Sequence, residues 1–525
     1  MSEVSRRTFL EMVGAAAGSG MMYRMATAMG VLVSPASSAL ASLNPIGGAK
    51  RSVVVLGAGI GGLTAAHELR KAGYDVTILE ASHRAGGRNM TLRHGDIVDE
   101  VGNRQTVDFD DDPQLYFNCG PARIPAEHTG LMGYCRELGV ALEVFVNDNR
   151  NAYAQWDEAF GGKPVRQRQY VADARGFMME LMAKTVLDAE MATPFRGVDV
   201  QKILALLTQY GDLSEDHFYR GSARSGYKSG GFVVEGEHHE AFDFKDIMDS
   251  NFWRVMSFSE ATDQAPVMMQ PVGGMDRVVA GFMRKVGDAV QLNAWVKQIE
   301  LQEDGVQVTY GKDGSEHSIR ADYCVNCIPT HLVAGLKTNF PSDYMTALRA
   351  PQRGKLFKIG LQASERFWEK DLIFGGISWT GQPITQIWYP NHDYFAQKGI
   401  LQGAYTFGDR GGEYFAKMSP AERIEAAISQ GEKVHPDYRK YIETGVSVPW
   451  HRMNHMLGCS ARWSDEDMKV HYPRLQAAAG RHYMVGDQIS HHSGWQEGAI
   501  RSAHHALADI DRRVSAELRG DAVNA

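Results

Sequence analysis

The most ordered stretch of hydrophobic and polar positions begins at Ser52-Val53-Val54-Val55-Leu56, a short apolar run that ends in glycines. A continuous run rich in β-branched residues predicts a buried strand. The longer run that follows, Leu63-Thr64-Ala65-Ala66-His67-Glu68-Leu69, predicts a helix. A second strand is predicted at Val76-Thr77-Ile78-Leu79, with Glu80 at its end. Gly130 to Leu138 reads as a helix, and residues 155–255 are mostly helical in pattern. That region carries a Met-rich amphipathic stretch, Phe177-Met178-Met179-Glu180-Leu181-Met182, whose methionines are expected to fill core, and a Gly/Ser-rich loop, Gly221 to Gly231. Strand patterns return near residue 270, at Val290 to Val296, in an alternating hairpin at Val306 to Tyr310, and at Tyr323 to Ile328. Residues 350–450 alternate strands and loops, and the chain ends in a strand, His482-Tyr483-Met484-Val485, and a helix from about 495 to 517.

The glycines between the first strand and helix carry chemistry. Gly57, Gly59 and Gly62 satisfy the G-x-G-x-x-G spacing. Gly57 permits the tight turn, Gly59 lets backbone approach a pyrophosphate, and Gly62 lets helix pack on strand. The helix N-terminus offers oriented N–H groups to phosphates, and Ile60 and Gly61 lie in the same turn. Glu80 stands where an acid accepts hydrogen bonds from a ribose, with Ala81 beside it. Strand, turn, helix, strand and acid fall in order within about thirty residues, the Rossmann arrangement.

Bulk properties add limits. At 525 residues the length suits two to three domains, and a net charge of −8 without a long basic run gives no sign of nucleic-acid binding. Ser5-Arg6-Arg7-Thr8-Phe9-Leu10 matches the twin-arginine export pattern, a weakly apolar stretch follows, and Ala39-Leu40-Ala41 reads as a cleavage site. A bacterial protein, periplasmic or secreted after cleavage near Ala41, is the expectation, with no stable membrane anchor. Five cysteines are too few and too scattered for a disulfide framework. Cys324 and Cys327, three apart on a predicted strand, are expected to face opposite ways as core residues. No metal is expected.

Directly after the second strand come Gly86, Gly87 and Arg88. The run from Val53 to Arg88 resembles the N-terminus of the flavin amine oxidase family, which includes monoamine, polyamine and L-amino acid oxidases. The resemblance implies FAD as cofactor, with Arg88 on its phosphates and Gly86 and Gly87 letting the loop pass close. It also implies a two-lobed FAD-dependent amine oxidase fold, of α/β and α+β character: a Rossmann-like FAD domain, a mixed β-sheet substrate domain and a helical subdomain. The segments expected are a leader at 1–41, FAD-binding pieces at 42–112, 256–335 and 451–525, substrate-domain pieces at 113–150 and 336–450, and the helical subdomain at 151–255. Near the C-terminus, Gly486-Asp487-Gln488 and Ser493-Gly494-Trp495-Gln496-Glu497-Gly498-Ala499 resemble the family's second flavin motif. There the acid, Asp487 where the family usually has Glu, reaches the ribityl or phosphate end, and the helix after Trp495 points its N-terminus at the isoalloxazine. Gly498-Ala499 would let backbone approach the flavin. Gly120, Pro121, Ala122, Arg123, Val296, Gly494, Trp495, Gln496 and Ala499 complete the expected FAD contacts.

Asn118-Cys119-Gly120-Pro121-Ala122-Arg123-Ile124-Pro125 resembles the Gly-Pro-Met-Arg-Ile-Pro element of venom-type L-amino acid oxidases. Arg123 would fork onto a substrate carboxylate, which suits a guanidinium that stays charged when partly buried; the alternative is a structural ion pair. Trp388-Tyr389-Pro390-Asn391-His392 resembles the family's Tyr-Tyr-Pro-Asn-His, so Tyr389 would donate to the same carboxylate, Trp495 would form the opposite wall, and the Gly494 carbonyl would accept the amine. Lys355 resembles the lysine that holds a water against flavin N5, with Lys358 the competing assignment. Cys459, nine residues after Trp450, stands where monoamine oxidases attach flavin covalently; a buried thiol is the alternative. The helical-domain histidine of the venom enzymes has no counterpart, since Phe258 and Ser259 stand in the comparable stretch. The expected function is an L-amino acid oxidase, using oxygen and releasing a 2-oxo acid, ammonia and hydrogen peroxide. A monoamine or polyamine oxidase, an amino acid 2-monooxygenase and a cofactor-free binding protein remain alternatives. A homodimer is the default for an enzyme of this size.

Overall fold

β1 (Ser52–Leu56) keeps Val53 to Leu56 out of water, as a run without polar alternation requires. It pairs in parallel with β2 (Asp75–Leu79) on one side and with Tyr323–Asn326 on the other. Val290–Gln291 and His482–Met484 complete a five-stranded parallel sheet. α1 (Ile60–Lys71) connects β1 to β2 and packs against the helices Asp276–Val286 and Gln496–Arg519. The computed structural model describes residues 40–48, 50–188 and 198–520, so the twin-arginine element lies outside the described residues. The sheet is built from three stretches, 52–79, 290–326 and 482–484. A four-stranded sheet, Ser315–Ala321, Gly305–Lys312, Trp295–Gln302 and Lys337–Thr338, extends the same lobe.

The second lobe is a seven-stranded sheet in the order Val165–Arg166, Tyr153–Gln155, Ile377–Thr380, Gln386–Trp388, Gly399–Phe407, Leu356–Ala363, Ile442–Pro449. It is antiparallel except where Ile377–Thr380 runs parallel to Tyr153–Gln155. On one face Phe357, Ile359, Ile387 and Leu401 meet the helix Pro420–Gly431. That helix starts in a capping box between Ser419 and Glu422.

The lobes divide the chain differently from the expected boundary at residue 112. Residues Met90 to Cys119 pack on the seven-stranded sheet, with Phe117 and Cys119 against Val446, Val448 and Trp450. The helix Thr129–Glu137, expected in the substrate lobe, instead buries Leu131, Tyr134 and Cys135 in the core around α1. Its first turn is capped from elsewhere in the chain: Glu497 accepts from the Gly130 and Leu131 N–H groups at 3.0 and 2.8 Å. The helical region is observed as Gln167–Leu187, Val200–Gly211 and Phe244–Asp249. Its methionines are not uniformly core: Met179 packs inward, whereas Met178 and Met182 are exposed beside Leu181. Cys324 and Cys327 do face opposite sides, one into the core under the four-stranded sheet and the other toward the cavity described below, and both are free thiols. Among the described residues no helix is long and apolar enough to cross a membrane.

Candidate active site

A cavity of about 480 Å³ runs from the end of β2 to the start of the C-terminal helix, between the two lobes. The glycine turn forms one end. Gly57 sits at φ +96° and its N–H donates to Leu79 O at 2.8 Å. A Cβ on Gly62 would overlap the Gly57 carbonyl oxygen, whereas a Cβ on Gly59 would meet nothing within 4 Å. Gly62 is therefore a packing glycine that does not line the cavity, and Gly59 is an opening one. Glu80 is buried, and its carboxylate is oriented by the Ala58 and Ser82 N–H groups at 2.7 and 2.8 Å. Burial raises its pKa, and those two N–H groups oppose the shift.

The middle of the cavity is cationic. Arg88 forks onto Asp487, with Nη1 to Oδ2 at 3.1 Å, and also donates to Cys459 O at 2.8 Å. Burial disfavours the charge on both partners, but their attraction outweighs it: Arg88 is held above and Asp487 below its ordinary pKa. Asp487 also accepts the Gly494 N–H at 2.7 Å. Arg88 and Asp487, each expected to reach the cofactor, are thus first partners of one another. Arg353, which the sequence reading did not single out, is a second guanidinium on the cavity wall. Burial and then Arg88 push it down to about 10, it makes no ion pair among the described residues, and its Nε has no hydrogen-bond partner. Arg84 lines the cavity as well and donates to Gly87 O at 2.7 Å.

Of the expected cofactor residues, Gly57, Gly59, Ile60, Gly61, Glu80, Ala81, Gly87, Arg88, Gly120, Pro121, Val296, Gly486, Asp487, Gly494, Trp495, Gln496 and Ala499 line this cavity. Ala122 and Arg123 lie just behind it and do not line it. Gly498 is turned away, because a Cβ there would overlap Ser490 Oγ and the His492 carbonyl. Gly120 lets its loop press against the Arg88 carbonyl oxygen, which a Cβ would overlap.

Two expected catalytic residues are elsewhere. Lys355 is 42% exposed and ion-paired with Glu413 on the surface. On the strand Leu356–Ala363, Leu356 and Lys358 face the cavity while Phe357 and Ile359 face the opposite core, so position 355 falls on the wrong face. The lysine at the site is Lys358. Its Nζ donates to Gly120 O at 2.7 Å and lies 4.6 Å from the Tyr405 ring centre. Burial, reinforced by the neighbouring Arg123 charge, lowers its pKa to about 7. Tyr389 is misplaced for the same geometric reason. Its hydroxyl is buried against Ser378 Oγ and His435 Nε2, both at 2.7 Å, in the core behind the sheet. Its neighbour Trp388 faces the site, a distinction that depends on strand register.

Arg123 is buried inside an aromatic box, with Trp388, Trp495 and Phe258 ring centres at 4.6, 5.3 and 6.0 Å from its guanidinium carbon. The structural ion pair is not what holds it: among the described residues no carboxylate lies within 4.0 Å. Its hydrogen bond goes from Nη2 to Gln264 Oε1, and Nε has no partner. Burial lowers its pKa to about 10, which leaves it charged at neutral pH. Trp495 donates from Nε1 to Asp263 Oδ2 at 3.1 Å and meets the buried His128 ring edge-on at 4.9 Å. Cys459 is half-buried on the cavity wall, its thiol pushed up chiefly by burial.

The glycine turn and acid at one end of the cavity, and a buried guanidinium behind its wall against Trp388 of the antiparallel sheet, define a dinucleotide-dependent enzyme with a separate substrate lobe. The chain belongs to the family of flavin containing amine oxidoreductases, whose family model matches residues 60–510. It is 26% identical over 484 residues to an L-amino-acid oxidase of Gloydius halys, covering 88% of this chain and 89% of that one. It is 26% identical over 489 residues to an L-amino-acid oxidase of Echis ocellatus, with the same coverage of both chains. In fold it is similar to a putrescine oxidase, with a TM-score of 0.59 at 19% identity over 89% of this chain and 100% of that one. It is also similar to the cyclohexylamine oxidase of Brevibacterium oxydans IH-35A, with a TM-score of 0.60 at 16% identity over 89% of this chain and 99% of that one. FAD is the cofactor, and the cavity suits it: the open face of Gly59, the oriented Glu80 carboxylate and the unpaired Arg353 match the backbone, ribose and phosphate needs of a dinucleotide.

Proposed function

We propose that the protein is an L-amino acid oxidase. One observation carries the reading: Arg123 is a buried, charged guanidinium without a carboxylate partner, walled by aromatic rings beside the cofactor cavity. A buried cation left unpaired is costly, and a substrate carboxylate removes that cost in a way an amine cannot. Arg123 holds the carboxylate, and Trp388, Trp495 and Tyr405 shape the apolar slot for the side chain. Lys358 Nζ, held at the Gly120 carbonyl with a pKa of about 7, keeps or gives up a proton near neutrality at the cavity wall. FAD held by the cavity residues would supply the two-electron oxidation of the Cα–N bond, the Cα hydrogen leaving with the electron pair and a proton leaving the amine nitrogen, and oxygen, as final acceptor, would become hydrogen peroxide. The imino acid released takes up water and yields a 2-oxo acid and ammonia. Positioning supplies much of the rate.

The test is a peroxide-coupled screen of the twenty L-amino acids, their D-forms and the decarboxylated amines. Equal yields of peroxide and ammonia from L-amino acids are expected. Amide and carbon dioxide in their place would identify a 2-monooxygenase. Arg123→Ala should raise KM for L-phenylalanine roughly a hundredfold and leave KM for phenethylamine little changed. Equal effects on both substrates would remove the carboxylate role and leave an amine oxidase.

We also propose export by the twin-arginine route, from Arg6 and Arg7 and the small residues around Ala41. Replacing both arginines with lysine should leave the precursor in the cytoplasm of a bacterial host; unchanged export would refute the route.

A further inference from the structure

We propose that Gln264 sets the preference of this site between amino acids and amines, its side-chain amide covering Arg123 and giving way to a substrate carboxylate. The proposal rests on the reading of Arg123 as the carboxylate-binding group. Residues 261–267 form a strap between the turn Phe258–Glu260, whose Phe258 ring is a wall of the aromatic box, and the strand Met268–Pro271. It touches the site twice through adjacent residues: Asp263 accepts the Trp495 indole N–H at 3.1 Å, and Gln264 Oε1 accepts from Arg123 Nη2. Gln264 is held by its backbone rather than by its side chain, with its N–H on Ala261 O at 2.8 Å and its carbonyl accepting from Asn147 Nδ2 at 2.7 Å. The side chain can therefore leave Arg123 without unfolding the strap.

The exchange follows from hydrogen-bond chemistry. A carboxylate can fork onto a guanidinium through Nη1 and Nη2 or through Nε and Nη2, so Nη2 belongs to both geometries. An incoming carboxylate meets Gln264 at that nitrogen. The amide oxygen is neutral and makes the weaker bond, and a charge-assisted carboxylate bond replaces it favourably. A substrate without a carboxylate leaves the amide in place, so the buried guanidinium stays covered while an amine binds. Gln264 thereby lowers affinity for carboxylates a little and spares amines the cost of an uncovered Arg123. A glutamate at 264 would keep Arg123 permanently engaged.

The test compares the flavin-loaded wild type, Gln264→Ala, Gln264→Glu and Arg123→Ala. Benzoate binding is read by calorimetry, and KM is measured for L-phenylalanine and phenethylamine. Gln264→Ala should tighten benzoate binding and lower KM for L-phenylalanine roughly three- to tenfold, the net scale of one hydrogen bond to a neutral acceptor. Gln264→Glu should weaken benzoate at least about tenfold while KM for phenethylamine stays as in wild type. Weaker or unchanged benzoate binding in Gln264→Ala would overturn the proposal, because Gln264 would then help to bind the carboxylate or be irrelevant to it. Unchanged binding in Gln264→Glu would overturn it too. Benzoate that binds Arg123→Ala as well as wild type, or binds none of the four, would instead remove the carboxylate reading of Arg123 on which the proposal stands.

Discussion

Arg123 and Lys358 are two cations held out of water at one site, and burial acts on them with different consequences. Arg123 comes down to about 10 and keeps its charge at any working pH, whereas Lys358 comes down to about 7 and does not. The folded pKa of Lys358 lies below its unfolded value of about 10.4. Between about pH 7 and 10.4 the unfolded chain therefore binds the extra proton, and stability rises with pH across that window. Below pH 7 both states are protonated and the cost of burying the charge is fully present. Lys358→Met should then raise the melting temperature most near about pH 6, with the gain shrinking toward about pH 10; a gain that does not change with pH would contradict the buried charge. Turnover separates the two lysines. Lys355→Met, which removes only a surface ion pair, should leave kcat/KM within about twofold. Lys358→Met should lower it roughly a hundredfold, the scale of a lost proton-handling group, and the reverse ranking would restore Lys355 to the site.

At the scale of elements, the glycine turn shows how one motif divides its labour. Gly62 is required by packing, since a Cβ would overlap the Gly57 carbonyl, while Gly59 faces open space. Gly62→Ala should therefore yield little folded protein. Gly59→Ala should fold with unchanged circular dichroism yet lose most of its flavin, measured as visible absorbance per chain; full loading of Gly59→Ala would show that the cofactor does not approach that turn. This motif was legible in the sequence because β1, α1 and β2 are contiguous, so spacing alone arranges them. The substrate lobe was less so. Whether Trp388 or Tyr389, or Lys355 or Lys358, reaches the cavity depends on which face of a strand each occupies, and a shift of one residue exchanges the faces. Burial along Phe357 to Ile359 is continuous and does not alternate, so only the position of the strand start tells which face each residue takes. Gln264 and Arg353 gave no local signal. Each gains its meaning from a residue far away in the chain that its side chain meets, Arg123 for one and Gln488 for the other. The methionines at 178 and 182 misled for a related reason: amphipathic spacing marks a face but not whether anything covers it.

At the scale of the whole molecule, the cavity is where separated parts of the chain meet. Its wall draws on the glycine turn and Arg88, on Gly120, on Val296, on Cys327 to Leu336, on Arg353 and Lys358, on Trp450 to Cys459, and on Gly486 to Ala499. These pieces come from both lobes: Gly57 and Gly486 lie in the turns just after strands of the parallel sheet, and the seven-stranded sheet contributes Lys358 and Tyr405. Direct polar bonds also join pieces of this wall: Arg353 Nη2 donates to Thr330 Oγ1 at 3.1 Å and to Gln488 Oε1, and Lys358 Nζ donates to the Gly120 carbonyl at 2.7 Å. A cofactor that fills the cavity would act as a noncovalent tie between lobes whose own cores are separate clusters. Binding to the folded state alone adds about 4 kcal/mol at a thousandfold excess over Kd. A ligand that contacts the lining of both lobes would share that stabilisation between them. Calorimetry of the flavin-loaded protein should therefore show one cooperative transition. Removal of the flavin should lower it by several degrees and separate it into two, with the seven-stranded lobe keeping its own transition through cores that the cavity does not reach. The arrangement would be refuted by a single transition at unchanged temperature after flavin removal, since the lobes would then be held together by their direct contacts and the cavity would carry no mechanical role.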